Sequence, residues 1–198
     1  MISSHRPHGR CYDGALRLFP APRRFCLTWP RVFFFLFAMA IAIYPGTFDP
    51  VTNGHLDILR RATHIFEHVV VGVAPNELKH PLFSAEERIE LISANVADWR
   101  VDVRLFEGLV VDFARNNGAT VLIRGLRAVS DFEFEFQMTQ MNRDLDPEIE
   151  TIFLMPGARY FFTSSTLMKQ VSFYDPERIA KFVPLNVAAA LKRKFNHQ

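Results

Sequence analysis

Thr47, Asp49, Thr52 and His55 fall within one short string, Gly46-Thr47-Phe48-Asp49-Pro50-Val51-Thr52-Asn53-Gly54-His55. Hydroxyl, carboxylate and imidazole groups gathered where Gly46, Pro50 and Gly54 force the backbone to turn are the ingredients of a phosphate site. The apolar run before them, 41–44, reads as a buried strand, and Leu56, Leu59, Ala62, Thr63 and Phe66 after them keep a helical period. Asn53 is expected to cap that helix, which places His55 in its first turn beside free backbone N–H groups and the positive end of the dipole. An ordinary strand-to-helix connection uses the same residue types, and it is the length of the string that favours chemistry.

Stepping along the chain, strands are expected at 41–44, 68–74, 101–106, 120–123 and 152–154. Helices are expected at 55–66, from Ser84 to about Val96 with Glu87 completing a capping box, at 110–116 before the stop of Gly118, at 131–145 and at 185–195. The 131–145 stretch opens with the alternation Phe132-Glu133-Phe134-Glu135-Phe136. Its later spacings, Phe134, Met138, Met141 and Leu145, favour helix. The Phe-rich positions read most simply as core, and Glu133 and Glu135 as a wetted edge. The alternation of strand and helix predicts one doubly wound, Rossmann-like α/β domain with a five-stranded parallel sheet, whose ligands bind at the carboxyl ends of the strands.

At those ends lie Thr47 and His55, then Asn76, Lys79 and His80, then Arg124, Gly125 and Arg127, and finally Thr163-Ser164-Ser165-Thr166 leading into a helix with Lys169. Solvation is the ordinary role of a single Lys or Arg. Arg124 stands apart because it directly follows an apolar strand and precedes a glycine that lets the backbone approach a ligand, so it is expected to bind an anion, with Lys79 a second candidate. The Ser/Thr run is a helix cap whose N–H groups and hydroxyls suit phosphate.

The chain has 198 residues, 49% hydrophobic and 22% charged, which fits one globular domain rather than a disordered chain. Its net charge of +2 comes from residues 1–38, where six Arg face a single Asp, leaving −3 for residues 39–198. Nucleic-acid binding by the folded part therefore has no support in charge. Cys11 and Cys26 both lie in the same extension, so no disulfide framework or thiolate metal site is open to the rest. The extension admits three readings: a signal peptide, an Arg-rich transit peptide, or translation from a start upstream of Met39. The third is expected, with residues 39–198 forming the domain. The twelve apolar residues 32–43 fall short of the roughly 20 that span a membrane, and no membrane role is expected.

The opening string resembles the first signature of the nucleotidyltransferase superfamily, Gly-[Thr/Ser]-Phe-Asp-Pro followed by His-x-Gly-His or Thr-x-Gly-His. Thr52 at the leading position is similar to the bacterial phosphopantetheine adenylyltransferases rather than their nicotinate-nucleotide relatives. Ile123-Arg124-Gly125-Leu126-Arg127-Ala128, Asp131 to Glu135, Met141-Asn142-Arg143 and the Ser164-Ser165-Thr166 segment extend the likeness over nearly all of residues 40–195. The resemblance implies adenylyl transfer from ATP to 4′-phosphopantetheine, giving dephospho-coenzyme A and pyrophosphate, in a cytoplasmic, magnesium-dependent homohexamer of coenzyme A biosynthesis. It implies that Thr47, Lys79, Val110 and Arg124 bind the acceptor, and that His55 stabilises the transition state. Thr47, Phe48, His55, Gly125, Leu126, Arg127, Glu135, Tyr160, Phe161, Phe162, Thr163, Ser164, Ser165 and Thr166 would form the ATP site, with Mg²⁺ carried mainly by the ATP phosphates. Thr163 departs from the likeness, standing where Ile or Val commonly precedes the Ser pair, and the extension before Met39 has no counterpart.

The chemistry needs no nucleophilic side chain. The acceptor phosphate, with a second pKa of about 6, is mostly dianionic at neutral pH and attacks the α-phosphorus directly. The protein must then bring two anions into line and stabilise the charge that develops. Two other readings remain open at this point: another adenylyl- or cytidylyltransferase of the same fold, and a nucleotide-binding regulatory module without turnover.

Overall fold

A computed structural model describes residues 40–75, 80–127 and 129–195. The expectations for residues 1–38, Asn76 and Lys79 lie outside them. In chain order the elements are β1 (Ile41–Gly46), α1 (Asn53–Ile65), β2 (His68–Val73), α2 (Ala85–Ser93), β3 (Val101–Leu105), α3 (Val110–Asn116), β4 (Val121–Gly125), α4 (Val129–Leu145) and β5 (Glu150–Leu154). A 3₁₀ turn (Ala158–Tyr160), α5 (Ser165–Tyr174), a second 3₁₀ turn (Pro176–Ile179) and α6 (Leu185–Phe195) follow. The strands form one parallel sheet in the order β3-β2-β1-β4-β5, the doubly wound arrangement expected.

Strand alternation divides the interior in two. Ala42, Tyr44, Val69, Val71, Val121 and Ile123 point to one face and pack against Ile58, Leu59 and Ala62 of α1, Ile92 of α2, Met168 of α5 and Leu191 of α6. Ile43, Val70 and Leu122 point to the other and meet Val111 and Ala114 of α3 with Ala119 and Ile149. Both faces of the central strands are buried, which is why β2 reads as a continuous apolar run.

Three expectations are corrected. Thr52, not Asn53, caps α1: its backbone is extended and its hydroxyl oxygen accepts from the N–H of His55. Asn53 is instead docked to the segment before α6, donating from its side chain to the Lys181 carbonyl and from its backbone to that of Phe182. Helix α2 stops at Ser93 rather than near Val96, because the Asn95 amide folds back on the Leu91 carbonyl at 2.7 Å and satisfies an orphan acceptor of the last turn. The Phe-rich start of α4 is not core. Phe132, Phe134 and Phe136 are 47%, 62% and 48% exposed, because nothing among the described residues lies outside that helix. Glu135 is likewise no wetted edge; its carboxylate is largely buried against Arg124.

Candidate active site

Strand β1 has β2 on one side and β4 on the other, so the connections leaving β1 and β4 diverge and open a crevice at their carboxyl ends. A cleft of about 710 Å³ lies there. One half is polar, with Thr47, His55, Arg124, Arg127, Ser164 and Lys169; the other is apolar, with Phe106, Leu109, Val110, Met138, Met141 and Leu145. Phe48, Gly125, Glu135, Ser165 and Thr166 also reach it. Of the other candidates from the sequence, Leu126, Tyr160, Phe161, Phe162 and Thr163 stand outside its lining. Leu126 prolongs the β4–β5 ladder by donating to the Leu154 carbonyl, and Phe162 is 89% exposed.

The opening string folds as it does for local reasons. Phe48 holds a left-handed backbone, φ 50°, and its ring lies back across Gly46, where a Cβ would come within 2.9 Å of the ring. The buried ring meets Tyr44 and His55 edge-on, at 5.4 and 5.2 Å between centroids. The carboxylate of Asp49 accepts from the backbone N–H groups of Leu82 and Phe83, each at 3.0 Å, and from the Lys169 ammonium at 2.6 Å. Gly54 leaves room for Tyr160, whose Cβ would be 3.3 Å from an added Cβ.

His55 is the third helical residue of α1, and it closes a capping box with Thr52. The backbone N–H of Thr52 donates to Nδ1 at 3.1 Å. A backbone N–H can only donate, so Nδ1 carries the lone pair and the ring proton of neutral His55 sits on Nε2. Burial, with a smaller contribution from the Arg127 cation, pushes the imidazole down to about 4. The residue therefore works as a neutral hydrogen-bond donor at physiological pH. The linkage has a definite sign. Between about pH 6.5 and about 4 the unfolded ring takes up a proton that the folded ring refuses, so stability falls with pH across that window. Urea titrations at several pH values should give His55→Gln a shallower loss there than the wild type; equal slopes would contradict the depressed value.

Arg124, at the end of β4, is gripped by Glu135 of α4 through two parallel bonds, Nε to Oε2 at 2.6 Å and Nη2 to Oε1 at 2.8 Å, and its Nη1 reaches the Pro45 carbonyl at 3.4 Å. The resemblance assigned these two side chains to different ligands, and the fold joins them. Across the cleft, Arg127 donates to the Thr163 carbonyl. Ser164 caps α5 by accepting from the Leu167 N–H, and the Ser165 hydroxyl donates to the Pro50 carbonyl at 2.8 Å, tying the α5 N-terminus to the opening string. That N-terminus faces the cleft and suits an anion. Among the described residues no three His, Cys, Asp or Glu side chains converge to hold a metal ion.

Sequence reasoning passed over three residues. Asp49 was quoted without a role, Lys169 was named only as part of its helix, and Arg88 drew no attention. Lys169 carried a readable signal, since it follows Ser165 by one helical turn and so shares its face. Arg88 sits in a helix turn with Glu86, Glu87 and Glu90, where a charged residue looks like surface.

A cytidylyltransferase-like family profile matches residues 43–171. The phosphopantetheine adenylyltransferase of Methylococcus capsulatus is 54% identical over 155 residues, which cover 78% of this chain and 95% of that protein. Among solved structures, the nicotinic acid mononucleotide adenylyltransferase of Plasmodium falciparum complexed with NaAD aligns with a TM-score of 0.60 at 14% identity, over 80% of this chain and 96% of that one. The TmcAL protein of Thermotoga maritima bound to alpha-thio ATP aligns with a TM-score of 0.57 at 14% identity, over 80% and 56%. At such identities these two carry the fold alone.

Proposed function

The chain belongs to the phosphopantetheine adenylyltransferases, within the cytidylyltransferase-like nucleotidyltransferases, and we propose that it transfers the adenylyl group of ATP to 4′-phosphopantetheine, releasing dephospho-coenzyme A and pyrophosphate. The observation that carries this reading is His55, a neutral imidazole with its proton held on Nε2, lining a cleft between Arg124 and the N-terminus of α5. The acceptor phosphate attacks the α-phosphorus in line. Arg124 offsets the repulsion between the anions, and the His55 Nε2–H stabilises charge on the equatorial oxygens. The α5 N-terminus, Ser164, Ser165 and Lys169 lie where the leaving pyrophosphate would depart. The apolar half of the cleft, with Val110, suits the pantetheine arm. Mg²⁺ would travel on the ATP phosphates and neutralise charge on the leaving group.

The test is pyrophosphate release with ATP and Mg²⁺, offering 4′-phosphopantetheine in one reaction and nicotinate mononucleotide in another. Release with phosphopantetheine alone is expected. Release with nicotinate mononucleotide alone would keep the fold family and overturn the acceptor roles of Arg124 and Lys79. ATP binding without release from either would make the chain a regulatory module.

We further infer a cytoplasmic homohexamer, supported by the outward apolar face of Phe132, Phe134 and Phe136 on α4. Sedimentation equilibrium should then give about six times 22.8 kDa. Burying a Phe is worth about 1.5–3 kcal/mol per subunit, so Phe134→Asp should shift the chain to smaller species. An unchanged hexamer in that variant would move the interface off this helix face.

A further inference from the structure

Arg88 of α2 is 1% exposed, among the largest wholly buried side chains of the fold. Its guanidinium donates to five backbone carbonyls. Nε reaches those of Phe83 and Ser84 at 3.1 and 3.2 Å, Nη1 those of Thr47 and Ala74 at 2.7 Å each, and Nη2 that of Pro75 at 2.9 Å. Three chain segments meet there: the exit of β1, the exit of β2 and the entry to α2. Among the described residues its hydrogen-bond partners are carbonyls and none is a carboxylate. Burying a cation is costly, and an apolar side chain of similar length would fill the space without that cost.

Thr47 and Ala74 both line the cleft, and Arg88 does not. In a trans peptide the C=O and the following N–H point in opposite directions. With the Thr47 carbonyl bonded to Arg88, the N–H of Phe48 points away from the guanidinium. Were that peptide to turn over, it would present a carbonyl to the cleft, where it would repel an anion. A guanidinium fork can hold several carbonyls in fixed directions at once; an ammonium cannot reach all five.

We propose that Arg88 is a positioning residue for the acceptor phosphate, fixing the β1 and β2 exits so that carbonyls face inward and the cleft keeps its anion-binding backbone. The proposal rests on the adenylyltransferase reading of the cleft. The ATP side is supplied mainly by β4 and the 160–166 loop, which Arg88 does not touch, so its loss acts unequally on the two substrates.

The test uses Arg88→Lys, with Arg88→Gln as a second variant should the first fold poorly, in the full chain. Pyrophosphate-release kinetics are measured alongside hydrogen exchange of the segments 44–50, 70–75 and 121–127. The KM for 4′-phosphopantetheine should rise about ten-fold or more while that for ATP changes less than about three-fold. Exchange should quicken in the first two segments and not in the third. A merely structural role would lower the active fraction and leave both KM values unmoved. Unmoved or equally raised KM values in an active wild-type background overturn the role of Arg88, as does unchanged exchange at 44–50. A wild-type chain silent with 4′-phosphopantetheine overturns the adenylyltransferase reading instead.

Discussion

Replacing His55 with alanine is expected to lower kcat by about a hundred-fold or more while ATP affinity stays within about two-fold. A hundred-fold is about 2.7 kcal/mol of transition-state stabilisation, the size of a lost oxyanion donor. The geometry explains the split. The ring offers one hydrogen, on Nε2, because the Thr52 N–H holds Nδ1, whereas the expected ATP contacts come from β4 and the 160–166 loop. Alanine also removes half of the capping box, which costs about 1 kcal/mol of stability. Glutamine separates the two effects: Thr52 followed three residues later by Gln is itself a capping-box pattern, so His55→Gln should fold normally and still turn over slowly. Equal losses of ATP binding and turnover would contradict a role confined to the transition state.

The second large effect is expected at the Arg124–Glu135 pair. Arg124→Ala should lower kcat/KM for 4′-phosphopantetheine by about 10³, or about 4 kcal/mol. The loss exceeds that of one cation because Glu135, whose side chain is only 16% exposed, is left as an unpaired carboxylate beside two anionic substrates. Adding Glu135→Ala to that variant should recover about ten-fold. No recovery would mean that Glu135 acts on ATP itself, as the resemblance implies, rather than through Arg124. The same double variant thus decides between the two placements.

Much of this site was legible in the chain. The position of His55 in the first helical turn, the Ser/Thr run as a cap and the stop at Gly118 all follow from local rules, and each local rule agrees with the tertiary structure. What was not legible depends on contacts between distant segments. Arg88 looks like a solvated charge in a run of glutamates until the exits of β1 and β2 close over it. Glu135 looks like a wetted edge until β4 brings Arg124 alongside. Asn53 and Thr52 are both good caps, and the choice fell to Thr52 because Asn53 was claimed by the segment before α6, some 130 positions later. The outward Phe residues of α4 have a helical period that identifies the element and says nothing of which side is covered.

Gly46 and Phe48 bear on how this string can change over time. The ring lies over the glycine at a distance that admits no Cβ, and the same ring supports the edge of His55. Any larger residue at 46 displaces the aromatic side chain, and any smaller one at 48 leaves the imidazole without its neighbour. Substitutions tried singly therefore meet a fitness barrier from either side. Drift across it requires the two positions to change together, as in Gly46→Ala with Phe48→Leu, so these sites should behave epistatically, each masking what the other tolerates.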